Sequence, residues 1–472
     1  MSKAKDLLKN TAIVSIGKIA TQFITFFLLP IYTAVLTNEE YGVVDLLNTL
    51  TSLLLPIATL QIEQGVFRYL VDCREEKEKQ TKIITTVFRF MIIQAIIYIT
   101  IFLCISGFIN NTYKYFLAGN LLACMFSTIL LQVCRGLGDN KTYAFGSFIS
   151  GVVTVILNVI FIVVFNLGAY GMLAATFIAN ILCAIYILFS KKIYKYIKIK
   201  EYDNKILKDM IRYSVPLVPN MISWWIVDAS DRTIISTVLG IGKNGIYSAA
   251  NKFTSVFASL YSVFNLTWTE SAAININSPD KDEFFSKILD VTLRFFGSLA
   301  MGIIAFMPFV FSILINEKFA EAYYQIPILM VGSMFNVLVS FIGSIYVAKK
   351  ITKEIAKTSV FAAIINITIN LACIKWIGLY AASISTLIAY FSMFIYRYID
   401  SRKYVKLNVN KGIVISMLLL SIISIIIYYT ENQILQIGNA LLVAIYTIVI
   451  NKTSFNFILQ NIRKKFTKNV EK

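Results

Sequence analysis

Apolar stretches of about 20 residues recur from one end of this 472-residue sequence to the other. A helix that crosses a bilayer needs about 20 mostly apolar residues, so each stretch is long enough to be a membrane span. Hydrophobic residues make up 57% of the sequence and charged residues 15%, whereas about a quarter of the residues in soluble domains are charged. The longest polar interval, 191–212, is too short to bury a core of its own. The sequence therefore predicts an all-α integral membrane protein.

The apolar stretches predict about fourteen transmembrane helices. The predicted spans are 11–36, 42–67, 83–106, 114–134, 143–165, 170–190, 213–238, 244–270, 288–315, 325–347, 358–374, 378–396, 412–429 and 435–451. The first is expected to be a permanent span, because its apolar run is long and no clear signal-peptide cleavage site follows it.

The basic residues are distributed unevenly between alternate loops. Of the 44 lysines and arginines, 35 lie in the N-terminal segment, the even-numbered loops and the C-terminal tail. The odd-numbered loops hold four: Lys114, Lys243, Lys318 and Lys375. Cytoplasmic loops carry such an excess, so both termini are predicted to be cytoplasmic. The net charge of +18 is then a topology signal with added attraction to anionic lipids, and no nucleic-acid partner is predicted.

Cofactor and metal motifs are weak in this sequence. It contains no histidine, and its six cysteines are scattered without a CxxC pair. The letters Gly240-Ile-Gly242-Lys-Asn-Gly245 match GxGxxG, but a dinucleotide site requires a preceding strand, and a short outward loop is expected here. We therefore predict a transporter, not an enzyme, with no metal and no cofactor. Transport would be driven by an ion gradient, the membrane potential or product removal, and the coupling ion is not identified.

Two matches within the sequence predict an internal repeat. An offset of 203 residues aligns Val35–Ser52 with Val238–Ser255, and an offset of 210 aligns Gly168-Ala-Tyr170 with Gly378-Leu-Tyr380. Six spans separate the copies each time, so the copies have the same orientation in the membrane. The predicted domains are an N-lobe at 1–190, a cytoplasmic linker at 191–212 and a C-lobe at 213–398. Spans 13 and 14 and a basic cytoplasmic tail occupy 399–472 outside the two parallel six-helix lobes.

Six motifs in order carry a resemblance to a known family. They are Gly17…Pro30-Ile-Tyr32…Glu40-Tyr41-Gly42, then Arg68-Tyr69, Gly168…Tyr170-Gly171, Tyr213-Ser-Val-Pro216-Leu-Val-Pro219, Asp231-Arg232 and Gly245-Ile-Tyr247-Ser248-Ala249-Ala250. In this order they resemble the polysaccharide flippases of the multidrug/oligosaccharidyl-lipid/polysaccharide exporter superfamily. The resemblance implies that oligosaccharide linked to undecaprenyl pyrophosphate crosses the bacterial cytoplasmic membrane by alternating access of two lobes.

Ionisable residues inside predicted spans are the candidate binding residues, because such a group at mid-bilayer costs roughly 2.5–3.5 kcal/mol. The candidates for a substrate cavity are Lys18, Arg68, Arg89, Asp228, Asp231, Arg232, Lys252 and Arg294. The two aspartates and Arg232 share one face of span 7. Positive charge predominates in the set, and guanidinium and ammonium groups suit a pyrophosphate in a dry cavity.

Each candidate also has a structural interpretation. Lys18, Arg89 and Arg294 could reach the cytoplasmic headgroups along their own side chains, and Lys252 could reach the outer ones over a longer distance. Arg232 could neutralise Asp228 or Asp231 within its own helix. Glu63 could pair with Arg68 or bind a coupling cation.

The remaining predictions concern uncharged residues of the spans. Trp224 and Trp225 could stack on sugar rings or simply pack, and Pro216 and Pro219 are hinge candidates that could also mark a helix start. Five asparagines are expected to bond between helices: Asn158, Asn180, Asn336, Asn366 and Asn370.

Two other functions were compatible with the sequence. A cation-coupled multidrug extruder of the same superfamily would favour a cavity lined by carboxylates, whereas the charged residues inside these spans are mainly basic. A membrane polysaccharide polymerase or ligase would need a long outward loop with catalytic residues, and the outward loops here are about ten residues or fewer. The flippase is therefore the preferred interpretation.

Overall fold

The protein is all-helical in the computed structural model, which describes residues 26–349 and 351–452. Predicted site residue Lys18 and the side chain of Asp228 lie outside what is described. The helices are α1 Leu29–Val35, α2 Asn38–Thr59, α3 Ile62–Asp72, α4 Lys77–Ser106, α5 Tyr113–Gly136, α6 Asn140–Val159, α7 Gly168–Ser190, α8 Asn204–Ser214, α9 Leu217–Val238, α10 Ile241–Asn275, α11 Lys281–Leu314, α12 Ala322–Ala348, α13 Thr352–Ile377, α14 Leu379–Ser401, α15 Lys411–Tyr429 and α16 Gln433–Ile450. A π-helical turn at Ile160–Val164 continues α6, and 3₁₀ turns lie at Ile193–Tyr196, Ile199–Glu201 and Glu317–Phe319.

Eleven helices in the described ranges are long and apolar enough to cross a membrane. They are α2, α4 to α7 and α11 to α16, and each coincides with a predicted span. The predicted first span lies mostly outside the described residues. The predicted spans 7 and 8 correspond to α9 and α10, which are rich in polar and charged side chains and are not among the eleven. The multi-pass helical fold is confirmed, whereas the total of fourteen and the side of the termini stay predictions.

Side-chain caps define where several helices begin. The hydroxyl of Thr37 accepts a hydrogen bond from the N–H of Glu40 at 3.1 Å, and the Glu40 carboxylate accepts one from the N–H of Thr37 at 2.9 Å. This capping box starts α2 by satisfying two backbone donors. Asp203, Asn410 and Asn432 cap α8, α15 and α16 in the simpler way, with one side-chain oxygen.

The predicted span 42–67 is interrupted in the structure. Helix α2 ends at Thr59 and α3 begins at Ile62, and the two residues between them, Leu60 and Gln61, have φ angles of 53° and 55°. This left-handed conformation is unfavourable for side chains other than glycine. The prediction of one continuous helix was therefore wrong at this point, and α3 runs on to Asp72, beyond the predicted end.

The chain forms two compact units. One comprises the described residues up to 249 together with Ile367–Leu379, and the other comprises 250–366, apart from residue 350, and 380–452. In the first unit, Ile62 and Val66 of α3 pack in a buried cluster with Met91 of α4, Val133 of α5 and Ile187 of α7. Burying these aliphatic side chains fixes α3 against three membrane-spanning helices.

Helices α15 and α16 belong to the second unit and pack on α11. Met301 and Ala305 of α11 contact Met417 of α15 and Val443 of α16 in one buried cluster. The methyl group of Met417 fills the space beside Gly297, where a Cβ would overlap it. The two helices predicted to lie outside the repeat are thus attached to the ninth predicted span.

Two tyrosine pairs tie the start of α12 to the end of α15. Tyr323 and Tyr428 stack at 4.2 Å between ring centroids, and each hydroxyl donates a hydrogen bond to the backbone carbonyl of the other residue. Tyr429 donates to the carbonyl of Tyr324 at 2.8 Å in the same way. These bonds satisfy polar groups at helix ends within the second unit.

The second repeat match has a common backbone feature. Gly168 and Gly378, which the offset of 210 aligns, have φ angles of 52° and 57°; Gly168 is the first residue of α7 and Gly378 directly precedes α14. Glycine adopts this conformation readily, so both copies use it at the same place in the chain. The feature supports the repeat. The division into lobes at 1–190 and 213–398 stays a prediction, because contacts within compact units do not test it.

Arg397 was placed by the sequence in a cytoplasmic loop, and the structure places it inside α14. Its side chain is 1% exposed. It donates hydrogen bonds to the hydroxyl of Thr358 at 2.8 and 3.0 Å, and to the carbonyls of Val339 at 3.0 Å and Ile355 at 3.4 Å. These oxygens satisfy a buried basic side chain just past the end of the predicted span 378–396, and α14 runs on to Ser401.

We predict that Arg397→Gln destabilises the second unit by at least about 2 kcal/mol, since hydrogen bonds to charged groups contribute roughly 1.5–3 kcal/mol each. Thermal unfolding of the purified protein in detergent would show a lower midpoint. The exposed Arg402→Gln is the matched control and should leave the midpoint unchanged. Equal midpoints for the two variants would contradict a structural role for Arg397.

Candidate functional site

Two of the predicted cavity arginines lie at the surface near the expected cytoplasmic ends of their helices. Arg68 forms an ion pair with Asp72 one turn further along α3, and both side chains are at least half exposed. Arg89 is also exposed, and its guanidinium lies over the ring of Tyr202, 4.4 Å from the ring centroid. Tyr202 belongs to the predicted cytoplasmic linker, so the position of Arg89 agrees with its structural interpretation.

Two further cations lie in the second unit. Arg294 pairs with Asp290 of the same helix at 2.7 Å and donates to the carbonyl of Ile450 at the end of α16, at 3.1 Å. These contacts attach α16 to α11 and indicate a structural role for Arg294. Lys252 is half-buried on α10. Its role in substrate binding stays a prediction.

Arg232 of α9 pairs with a carboxylate on another helix. Its Nε lies 3.1 Å from Oδ2 of Asp45 on α2, and both side chains are about 20% exposed. Asp228 or Asp231 was the predicted partner on the same helix, and that pairing stays a prediction. The ion pair with Asp45 joins α9 to α2, because α9 packs along α2 and brings the two charges together.

Asp231 lies next to Arg232 in sequence but makes different contacts. It is 3% exposed, and its carboxylate accepts hydrogen bonds from Asn370 Nδ2 at 2.7 Å and from the hydroxyl of Tyr247 at 3.1 Å. The three residues belong to α9, α13 and α10. Asp231 therefore connects three helices, and these two donors help to satisfy a carboxylate that burial would otherwise penalise.

The remaining residues predicted on α9 have local roles. Trp225 donates from its indole N–H to the carbonyl of Thr49 on α2 at 2.9 Å, as a packing role would require. Trp224 is half-buried. Pro216 is the residue before the first turn of α9 and Pro219 lies within that turn, where a missing N–H is tolerated. This is the helix-start geometry, and a hinge function stays a prediction.

The first repeat match brings α2 and α10 into direct backbone contact. A Cβ on Gly42 would overlap the carbonyl oxygen of Ile241, and a Cβ on Gly245 would overlap that of Asn38. The offset of 203 relates residues 42 to 245 and 38 to 241, so the two contacts are equivalent by the repeat. The amide of Asn244 adds a hydrogen bond to the carbonyl of Gly42 at 3.0 Å.

The same contact explains the GxGxxG letters. Gly240, with φ of 100°, forms the turn between α9 and α10, and the preceding element is a helix, not a strand. Gly242 faces the side chain of Glu39, and Gly245 allows the close approach of α2. These glycines therefore pack helices together and do not have the setting of a nucleotide loop.

The expectation for the five asparagines of the spans is confirmed for four of them. The bonds between helices are Asn158 to Tyr32, Ser127 to Asn180, Asn366 to Thr386 and Asn370 to Asp231. It was wrong for Asn336, whose amide oxygen accepts a hydrogen bond from Ser340 on the same helix.

Sequence reasoning missed Asp45, Asn244 and Tyr247 as members of the polar network. Asp45 was detectable by the rule applied to the other charged residues, because it lies inside the predicted span 42–67. Tyr247 and Asn244 lie in or beside the quoted motif, but only the fold shows which carboxylate and which carbonyl they bind.

We predict that Arg232→Gln destabilises the protein by more than about 1 kcal/mol, the upper range for exposed ion pairs, because Asp45 is left partly buried without its charge partner. Arg68→Gln, which breaks an exposed pair, should have a smaller effect. The exchanged pair Asp45→Arg with Arg232→Asp should recover part of the loss. Thermal unfolding of the four proteins measures this, and equal losses for both arginines would contradict it.

We predict that Gly42→Ala prevents the close contact between α2 and α10. With cysteines at positions 39 and 242, where a Cβ on residue 242 would lie 3.7 Å from Cγ of Glu39, oxidation should form a disulfide in the parent protein. Gly42→Ala should reduce its yield. Gly438→Ala is the control, since nothing lies within 4 Å of a Cβ there. An unchanged yield in Gly42→Ala would exclude the tight contact.

Known proteins share this sequence pattern and fold. A family model described as polysaccharide biosynthesis protein matches residues 7–268, more than half of the chain. An uncharacterized membrane protein of Methanocaldococcus jannaschii is 24% identical over 409 residues, which are 79% of this chain and 91% of that protein.

Two solved structures have a similar fold. An inward-facing multidrug resistance transporter of the MATE family, in the MOP superfamily, aligns with a TM-score of 0.68 at 14% identity, over 83% of this chain and 98% of its own. The lipid II flippase MurJ in an inward closed conformation aligns with a TM-score of 0.68 at 16% identity, over 94% and 100%. These neighbours are transporters and flippases, not enzymes. The chain is thus a multi-pass membrane protein that belongs to the polysaccharide biosynthesis protein family and has the fold of MOP-superfamily transporters.

Proposed function

We propose that this protein flips oligosaccharide linked to undecaprenyl pyrophosphate from the cytoplasmic to the outer leaflet of the bacterial cytoplasmic membrane. Membership of a polysaccharide biosynthesis family supports a saccharide substrate, and the fold shared with a lipid II flippase supports movement across the bilayer. Alternating access of two lobes would provide the pathway without ATP hydrolysis by this chain.

The observation that carries the proposal is the placement of charge on α9 and α10. These two helices carry Arg232 and Lys252 inside the predicted spans 213–238 and 244–270. Charged side chains at membrane depth face a protein interior or a water-filled path, because lipid chains cannot satisfy them. Helices that carry charge inside predicted spans therefore fit the lining of a transport path.

The ion pair between Arg232 and Asp45 is suited to reversible binding of an anion. The Nε of Arg232 lies 3.1 Å from Asp45, and a pyrophosphate, whose oxygens suit a guanidinium, could replace Asp45 as its partner. Neutralisation by Asp45 in the absence of substrate would avoid an isolated buried charge. We assign Arg232 to the pyrophosphate, and Lys252, Lys18, Asp228 and Asp231 are further candidates of the cavity from the sequence.

The two exposed arginines are suited to the arrival of the substrate at the protein, before it binds in the cavity. Arg68 and Arg89 are accessible near the expected cytoplasmic ends of their helices, where a lipid-linked pyrophosphate would arrive. We propose that they raise the local concentration of the anionic headgroup, since exposed positive charge steers anions at low ionic strength. Substitution of either would then weaken transport more at low salt than at high salt.

The experiment is translocation in proteoliposomes without ATP, following an undecaprenyl-pyrophosphoryl oligosaccharide by lectin accessibility. We expect Lys252→Gln and Arg232→Gln to reduce the rate by at least about tenfold, as loss of roughly 1.4 kcal/mol of anion binding would. Lys287→Gln removes an exposed charge from α11 and should transport normally. Unfolding midpoints of each variant separate loss of function from loss of fold.

Two outcomes would contradict the proposal. Wild-type transport that survives both substitutions would keep the function and reject Arg232 and Lys252 as the anion site. Absence of lipid-linked saccharide transport, together with efflux of ethidium, would instead identify a multidrug extruder. The neutralised state of Asp45 weighs against the extruder, which needs a carboxylate for its cationic substrates.

A further inference from the structure

An apolar groove lies on the surface of the first unit, between α4, α5 and α7. Its volume is about 470 Å³, and every residue that lines it is apolar or glycine. The lining includes Phe88 of α4, Phe126 and Leu130 of α5, and Phe177, Ile181 and Leu188 of α7. Ile185 also lines the groove and is 47% exposed, so the groove is open to the surroundings of the helices. A space with such a lining takes hydrocarbon and not a polar solute.

The groove follows the helices for about the depth of one leaflet. Along α7 its lining runs from Leu188, next to the expected cytoplasmic end, to Phe177, which is about 16 Å at roughly 1.5 Å per residue. The hydrocarbon core of a bilayer is about 30 Å thick, so one leaflet accounts for roughly 15 Å. At the far end the ring of Phe177 lies against Gly119, where a Cβ would be 3.3 Å from Cε2 of that ring. The groove therefore matches a single lipid chain that enters from the cytoplasmic leaflet.

The predicted linker crosses the expected cytoplasmic end of the groove. The 3₁₀ turn Ile193–Tyr196 contacts both α4 and α7, and Ile193 is buried in an apolar cluster with residues of these two helices. Thr85 of α4 donates a hydrogen bond to the carbonyl of Tyr196 at 2.8 Å. Lys192 has a φ angle of 50°, so a residue in an unfavourable backbone conformation lies where the chain leaves α7 for this turn. These contacts fix the turn across α4 and α7 at the end of the groove.

Two lysines of this segment are placed to contact an anionic group. Lys192 follows Leu188 by four residues and Lys195 lies within the turn, and both side chains are exposed. Among the residues that the structure describes, neither lysine forms an ion pair, whereas the neighbouring Lys191 pairs with Asp139. An ammonium group is a compact charge that suits phosphate oxygens. An apolar groove with two lysines at one end is therefore complementary to a lipid with an anionic phosphate headgroup.

We propose that this groove binds one acyl chain of an anionic glycerophospholipid, and that Lys192 and Lys195 hold its phosphate. The proposal assigns one lipid to one groove, and so goes beyond the general attraction of basic loops to anionic membranes. The bound chain covers apolar side chains of three helices, and the headgroup contacts the linker. Binding of this lipid does not depend on the proposed transport function.

The test uses phosphatidylglycerol with a photoactivatable diazirine at the end of one acyl chain, at a trace level in phosphatidylcholine bilayers that contain the full-length protein. After illumination, mass spectrometry of peptides locates the labelled residues. We expect labels on the residues of α5 and α7 that line the groove, and competition by unlabelled phosphatidylglycerol.

The lysines are tested by two double variants of the linker. Lys192→Gln with Lys195→Gln should lower the labelling of the groove by at least about fivefold, because each lysine beside an anionic headgroup strengthens its binding. Lys205→Gln with Lys208→Gln removes the same charge from exposed positions of α8 and should be labelled as the wild type is.

Ala184→Trp tests the groove itself, because residue 184 lines it and a larger side chain there would fill it. It should reduce the labelling, whereas Leu182→Trp, at an exposed position of α7 outside the lining, should not. The proposal is overturned if labels spread evenly over the lipid-facing helices, if the two lysine pairs have equal effects, or if undecaprenyl phosphate displaces the probe better than phosphatidylglycerol does. No saccharide is present in this assay, so its failure leaves the proposed transport function standing.

Discussion

The close backbone contact between α2 and α10 is the constraint on which the polar network of the first unit depends. Gly42 and Gly245 each lie against a carbonyl of the other helix, which no larger residue would permit. This approach places Asn244 on the carbonyl of Gly42 and brings α10 beside α2 at the level of Asp45. Two short glycines at equivalent positions of a repeat thus determine which side chains can reach one another.

The bilayer explains why the polar groups occur in pairs and networks. A charge on a lipid-facing surface would be expensive, so Asp45, Arg232 and Asp231 each find protein partners on other helices. As a result, α9 and α10 carry charged side chains inside predicted membrane spans. In a transporter such helices are expected where water or substrate must pass, and this is the link from charge placement to the proposed function.

The sequence predicted the helices well, because a bilayer-spanning helix imposes a length and an apolar composition that no other element needs. The sequence could not predict the break after Thr59, since Leu60 and Gln61 are not residues that favour left-handed backbone. The pairing of Arg232 with Asp45 could not be predicted from the sequence either, because Asp228 and Asp231 on the same helix are equally good candidate partners by spacing. The burial of Arg397 could not be predicted for a related reason: only tertiary structure supplies the buried oxygens that satisfy it.

Helix α2 therefore has two distinct structural features along its length. Near its start, the backbone of α2 at Gly42 contacts α10. At its end, the left-handed residues Leu60 and Gln61 interrupt the helix, so α2 and α3 need not share one direction. Since α3 is fixed in the apolar cluster of α4, α5 and α7, a change at the break would alter the direction of α2 relative to that cluster. Asp45, one turn from Gly42, would move with it and change its distance from Arg232.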